Sequence, residues 1–363
     1  MNRFRNRYFY ITASVFLALM VTLMCMESPR RVDQRIAERK ASGKAVPTQW
    51  YVHAMGWRGL AVDAALAVML MGLTPWAARR LTCAPLRVEA PPRRMTVIAT
   101  AVAGGLMIIS GIANAPRLSH SLWGDEEYSM KRLVAGQTVE RGEDGKMHFE
   151  DRSWVTTLWS YRKTTNHIGY TVVARLFHEV MFRPGTGPTD PMFSELATRL
   201  PVFIAGLLSI AALAWAGCVW GWHRGLPLAL VMYAAHPWFV RFGSDARGYG
   251  FVLLLVPLLI GVLGRAWQTG RWRWWIALGL AQFYLLWTYM GAVHFVAMLN
   301  LAGAGLIFCD RSRAPDRVVF LARLAVANVI SAMLFIPLIA PCMPQLAAFA
   351  ATKPLQGVVD FDW

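Results

Sequence analysis

The chain has 363 residues, 56% of them apolar and 16% charged, with 37 basic against 21 acidic side chains. Soluble domains are less apolar and carry about a quarter of charged residues, so an ordinary soluble fold is excluded. Runs of about 18 to 22 apolar residues cover a hydrocarbon layer of roughly 30 Å, which makes this a multi-pass membrane protein.

In chain order the apolar spans are 8–26, 55–76, 95–114, 199–220, 225–243, 249–267, 273–290, 291–309 and 318–340. The first has the basic start and apolar middle of a signal peptide. That middle is too long, and no small-x-small cleavage site precedes Glu27, so it reads as a retained anchor. The net charge of +16 would point to nucleic acid in a soluble chain. Here the basic residues gather in short loops and report orientation. With Arg3, Arg5 and Arg7 inside, loop 77–94, with five arginines and one glutamate, also falls inside. So do Arg265, Arg271 and Arg273, and Arg311, Arg313 and Arg317. The long loop 115–198 then lies outside with nearly balanced charge, while loop 27–50 is net positive yet outside, the one vote against.

The expected fold is therefore all-α, a bundle of about nine spans. Residues 1–94 form an N-terminal hairpin with a cytoplasmic loop, 95–340 the main module, and 341–363 an external tail. Five cysteines lack CxxC or CxxH spacing and read as small buried hydrophobes. "GEDGK" and "RPGTGPTDP" read as flexible connectors.

Within the external loop, "NHIGYTVVARLFHEVMF" puts His167, Thr171, Arg175, His178 and Glu179 on one face and Ile168, Val172, Val173, Leu176, Phe177, Val180 and Met181 on the other. That pattern predicts an amphipathic helix in the interface plane. A membrane crossing here would invert every later loop.

Just beyond the third span, "SLWGDEEYSM" sets Asp125, Glu126 and Glu127 in a row. Taken alone it is a helix N-terminus, with Asp125 as cap, a helix to Ala135 and Gly136 closing it. Three companions favour a site instead. Pro116 holds Asp125 near the bilayer surface, the interfacial helix brings His167, Arg175 and His178, and "VRFGSDARGYGF" brings Arg241, Asp245, Arg247 and Tyr249 to the same side. Ionisable groups at such depth are costly unless paired or lining a wet cavity; the competing reading of Arg241 and Arg247 is snorkelling to headgroups. "DFD" at 360–362 reads as a solvated tail, His294 and Asn300 as interhelical bonds, and the tryptophans of "RWRWW" as interfacial anchors.

Four stretches in order, "GDEEYS", "NHIGYTVVARLF", "FSELATRLPVFIAGLLSI" and "SDARGYGF", resemble the GT-C superfamily of integral membrane glycosyltransferases. The likeness is greatest to the branch of protein O-mannosyltransferases, aminoarabinose transferases and core galacturonosyltransferases, over about residues 95–310. The departures are Ile168 and Gly169 where that family has two prolines, two spans before its usual first helix, and an end at Trp363 without its later spans. The resemblance implies transfer of a sugar from a polyprenyl phosphate to a hydroxyl of a glycolipid, glycan or protein, at the periplasmic face of a bacterial inner membrane. It implies Asp125 as general base, Glu126 positioning the acceptor or holding a divalent metal if one is used, and Arg247 on the lipid phosphate. Tyr249, His167, Lys163, Arg241 and Tyr128 would be further substrate contacts. The chain has no G-x-G-x-x-G or P-loop pattern for a nucleotide donor. The alternative is a non-catalytic membrane protein, a lipid-linked-sugar transporter or an inactive scaffold of the same fold.

Overall fold

The computed structural model describes residues 2–44, 46–80, 93–140, 147–161, 166–182, 193–222, 224–310 and 316–352. The chain is an all-α helical membrane protein. Its first four helices are α1 (Asn2–Cys25), α2 (Pro29–Ala41), α3 (Thr48–Arg80) and α4 (Arg93–Asn114). The long connection that follows holds α5 (Gly124–Ser129), a π-helical turn (Met130–Val134), a hairpin of β1 (Gly136–Glu140) and β2 (Met147–Asp151), then α6 (Trp154–Trp159) and α7 (Ile168–Met181). The hairpin is antiparallel, with Gly136 opposite Asp151. The remaining helices are α8 (Glu195–Trp220), α9 (Leu226–Ala235), α10 (Pro237–Phe242), α11 (Tyr249–Thr269), α12 (Trp272–Thr288), α13 (Val293–Cys309), α14 (Arg317–Ile339) and α15 (Met343–Thr352).

Among the described residues, six helices are long and apolar enough to cross a membrane, or seven if the bent pair α1 and α2 counts as one. Expected span 225–243 is broken into α9 and α10 at His236–Pro237. Proline lacks the N–H that would continue α9 and fits the first turn of α10. Expected span 273–290 is α12, whose 17 residues reach about 26 Å. Helix α2 and the β-hairpin were not expected from the apolar pattern.

The core is built by α8, α11, α12 and α14, where large side chains meet glycines. A Cβ on Gly261 would lie 2.4 Å from Trp215, so only glycine lets α8 and α11 approach this closely. Of the tryptophans of "RWRWW", Trp275 is buried in this core, and Trp272 and Trp274 are half-buried against it. Trp275 is fully buried against Phe320, and Trp272 carries the Arg323 guanidinium 5.1 Å above its ring. Asn300 accepts from Asn328 at 2.7 Å, an interhelical bond as expected, whereas His294, expected to make one too, is exposed. Of the cysteines, Cys342 is buried, but Cys25 and Cys309 are exposed, contrary to the expectation of burial. Cys83, "GEDGK", "RPGTGPTDP" and "DFD" lie outside the described residues.

Contacts sort the helix ends into two sets. At one end Trp57 donates to Leu23 O (3.2 Å), Gln345 to Trp159 O (2.6 Å) and Arg199 to Arg117 O (2.8 Å). These bonds gather the end of α1, the start of α3, the end of α4, the start of α8 and the segment after α14. At the other end Gln268 donates to Val219 O (2.5 Å), Arg317 to Phe308 O (2.8 Å) and Arg323 to Gly270 O. The turn 265–273 and Arg317 share this second end, and α5, α6 and the start of α8 sit at the first.

Candidate functional site

Helix α5 starts after an extended Trp123, and Glu126, at its third residue, folds back to accept the Trp123 N–H at 3.1 Å. The cap is thus Trp123 and not Asp125 as expected, because Glu126 is the carboxylate that satisfies a free first-turn donor. The Glu126 side chain is 0% exposed. It receives Arg199 Nη2 at 2.6 Å and Nε at 3.2 Å, and the Ala246 N–H. Arg199 further donates to the carbonyls of Arg117 (2.8 Å), His120 and Ser121 (3.2 Å). A buried ion pair persists only when its remaining donors and acceptors are met, and here they are. The knot ties α5, α8 and the turn 243–248 together, and leaves Glu126 no oxygen turned outward for an acceptor or a metal.

One residue earlier, Asp125 points the other way, with its side chain 55% exposed. Arg247, in the turn that opens α11, is buried beside it. Its Nη1 lies 3.7 Å from Asp125 Oδ2 and donates to Asp125 O at 3.2 Å. The tight turn that aims Arg247 is closed by its own N–H on Asp245 O at 2.6 Å.

His167 stands behind Arg247, just before α7. Its ring meets Tyr249 edge-on at 4.6 Å and stacks on Tyr289 at 5.3 Å. Among the described residues neither ring nitrogen has a hydrogen-bond partner, although the side chain is buried. Burial first, and the Arg247 charge second, push its pKa down to about 3, so the ring is neutral. A Cβ on Gly248 would lie 2.5 Å from His167 Nδ1, so glycine is what lets the turn reach this ring.

A second acid, Asp245, is buried in the same turn. Arg117 approaches it at 3.3 Å and also donates to Ser244 Oγ at 2.8 Å; Arg241 lies 3.7 Å away. Burial raises the Asp245 pKa, the Glu126 charge adds to this, and the two arginines oppose it. Arg241 is itself exposed, 5.7 Å above Trp123.

Helix α7 is amphipathic, with its polar face turned inward. Thr171, Arg175 and His178 are buried, while Leu176, Val180 and Met181 are exposed. Arg175 is held by Glu179 (2.7 Å), Thr157 Oγ1 (2.8 Å) and the Trp154 ring at 4.4 Å. At 14 residues the helix is about 21 Å long, short for a crossing.

The fold therefore brings together Asp125, Arg247, His167 and Tyr249, with Arg241 at the rim and Tyr128 half-buried on α5. Lys163 lies outside the described residues. Sequence reasoning missed Arg199, Arg117 and Tyr289. Arg199 had a signal, an arginine in the first turn of a membrane-length helix at the same end as three acids. Among the described residues no group of three or more His, Cys, Asp and Glu side chains is placed to hold a metal. A cleft of about 820 Å³ lined by Met95, Leu213, Trp222, Arg224 and Leu226 lies at the opposite end, away from Asp125. Comparison with family models, with curated proteins and with solved structures finds no match to this chain.

Proposed function

We propose that the chain is a glycosyltransferase of GT-C type, moving a sugar from a polyprenyl phosphate to an acceptor hydroxyl at the periplasmic face of a bacterial inner membrane. One observation carries the reading: an exposed carboxylate, Asp125, stands 3.7 Å from a buried arginine, Arg247, at one end of an apolar bundle. The acceptor oxygen attacks the anomeric carbon, the bond from that carbon to the phosphate oxygen breaks, and the proton passes to Asp125. Arg247 takes the charge developing on the departing lipid phosphate. His167, neutral and without a hydrogen-bond partner among the described residues, has a ring N–H to offer a phosphate oxygen, and Tyr249 and Tyr289 hold the ring in place. Arg241, exposed beside Asp245, and Tyr128, on the same short helix as Asp125, are further contacts. The orientation rests on Arg265, Arg271, Arg273 and Arg317 at the end opposite Asp125.

The test is mass spectrometry of envelope glycolipids, glycans and glycoproteins from cells with the gene, without it, and with Asp125→Asn. The expected result is a sugar mass absent in the deletion and reduced at least about a hundredfold with Asp125→Asn, the usual weight of a general base. An unchanged glycan profile in the Asp125→Asn strain would favour the alternative, a transporter or non-catalytic scaffold.

A further inference from the structure

Residues 29–44 carry six basic side chains, Arg30, Arg31, Arg35, Arg39, Lys40 and Lys44, against Asp33 and Glu38, on the end of the bundle that holds Asp125. Most of them fall on α2, which leaves α1 at a bend of 44°. The helix is seated on the protein: Val32 and Ile36, one turn apart, are buried against Ala54 with Trp50 and Tyr51 beside them. Lys40 lies 5.6 Å from the Tyr51 ring and Arg39 5.5 Å from the Trp50 ring. Those two aromatics open the membrane-length helix α3, the place where such rings mark headgroup depth.

Two acid–arginine pairs fix part of the charge. Glu27 pairs with Arg35, and Asp33 with Arg58 of α3 at 2.5 Å. Arg30, Arg31, Lys40 and Lys44 remain exposed, on a helix whose larger apolar side chains, Val32 and Ile36, are already buried. This helix therefore has no greasy face to sink into a bilayer, and what its outer face offers is positive charge at headgroup level.

We propose that α2 is a docking platform for anionic phospholipid headgroups in the leaflet at the candidate-site end. The charge complementarity and the depth fixed by Trp50 and Tyr51 select this occupant. The platform accounts for the net-positive loop at the end the charge rule makes external. Its cations are placed to hold acidic headgroups, and they do not set orientation. The inference stands whether or not Asp125 is catalytic.

The experiment uses the full chain in proteoliposomes of phosphatidylcholine and phosphatidylglycerol, with Gln34, exposed on α2 beside Arg30 and Arg31, replaced by the photo-crosslinker p-benzoylphenylalanine. Mass spectrometry of the adduct reads which lipid was captured. A cation at headgroup level is worth about a fivefold preference for anionic lipid, so the adduct should be enriched in phosphatidylglycerol at least about fivefold over the bulk. High salt should abolish the enrichment, and so should Arg30→Gln, Arg31→Gln, Lys40→Gln and Lys44→Gln together. Arg30→Lys with Arg31→Lys should retain it. Adducts matching the bulk composition, enrichment that survives the glutamines, or loss in the lysine variant would each overturn the platform. Displacement by inorganic phosphate, but not by chloride of equal ionic strength, would also overturn it in favour of a soluble anion.

Discussion

Asp125 and Glu126 are neighbours in the chain and each meets an arginine, yet the two pairs occupy different worlds. Glu126 and Arg199 lie in a dry knot where every oxygen and most donors are matched. Asp125 and Arg247 sit at a rim, with a longer contact and the acid more than half exposed. Burial thus separates two jobs that residue type alone leaves merged: the enclosed pair holds the turn 243–248 in place, and the other pair leaves its acid, Asp125, exposed.

The sharpest way to break this contrast is Arg199→Met. It leaves the Glu126 carboxylate buried without its cation, and should destabilise the protein by about 3–5 kcal/mol, read as a drop in thermal or denaturant midpoint in detergent. Removing the charge on both sides, with Glu126→Gln added, should recover part of that loss.

A second test concerns His167. Its folded pKa is depressed to about 3 from 6.5. The unfolded chain therefore takes up a proton that the folded chain refuses. Stability is fully present above pH 6.5 and is lost as the pH falls from there toward 3. At pH 5 the loss is about 2 kcal/mol relative to neutral pH, and His167→Phe should flatten the pH dependence of unfolding by about one proton. An identical slope in wild type and variant would place the ring in a wetter setting.

The smallest effect should come from the rim. Asp125→Asn should cost less than about 1 kcal/mol, the usual worth of a half-exposed ion pair, while removing the transfer activity proposed above. A large loss of stability there would make Asp125 a second structural acid and erase the distinction.

Much of the frame was legible. Expected spans 95–114, 199–220, 249–267 and 318–340 lie within a few residues of α4, α8, α11 and α14, because long apolar runs leave the backbone only the helix as a way to meet its own hydrogen bonds. The break between α9 and α10 had its signal in Pro237, outweighed by the apolar run around it. Helix α2 was hidden by its charge, although Val32 and Ile36 carry the one-turn spacing of a packed face. The division of labour between Asp125 and Glu126 was not legible. It depends on Arg199, 73 residues away from Glu126, and on a backbone N–H 120 residues away. The isolation of His167 is likewise a product of Tyr249, Tyr289 and Gly248 converging from other parts of the chain.

The reversed orientation of α7 has a consequence for traffic. Its outward Leu176, Val180 and Met181 begin within three turns of His167 and present hydrocarbon to whatever surrounds the protein. In a bilayer, acyl chains would abut this side of the candidate site. A molecule tethered by its own long tail would then search for Asp125 in two dimensions, sliding in from the side, with no need to surface first.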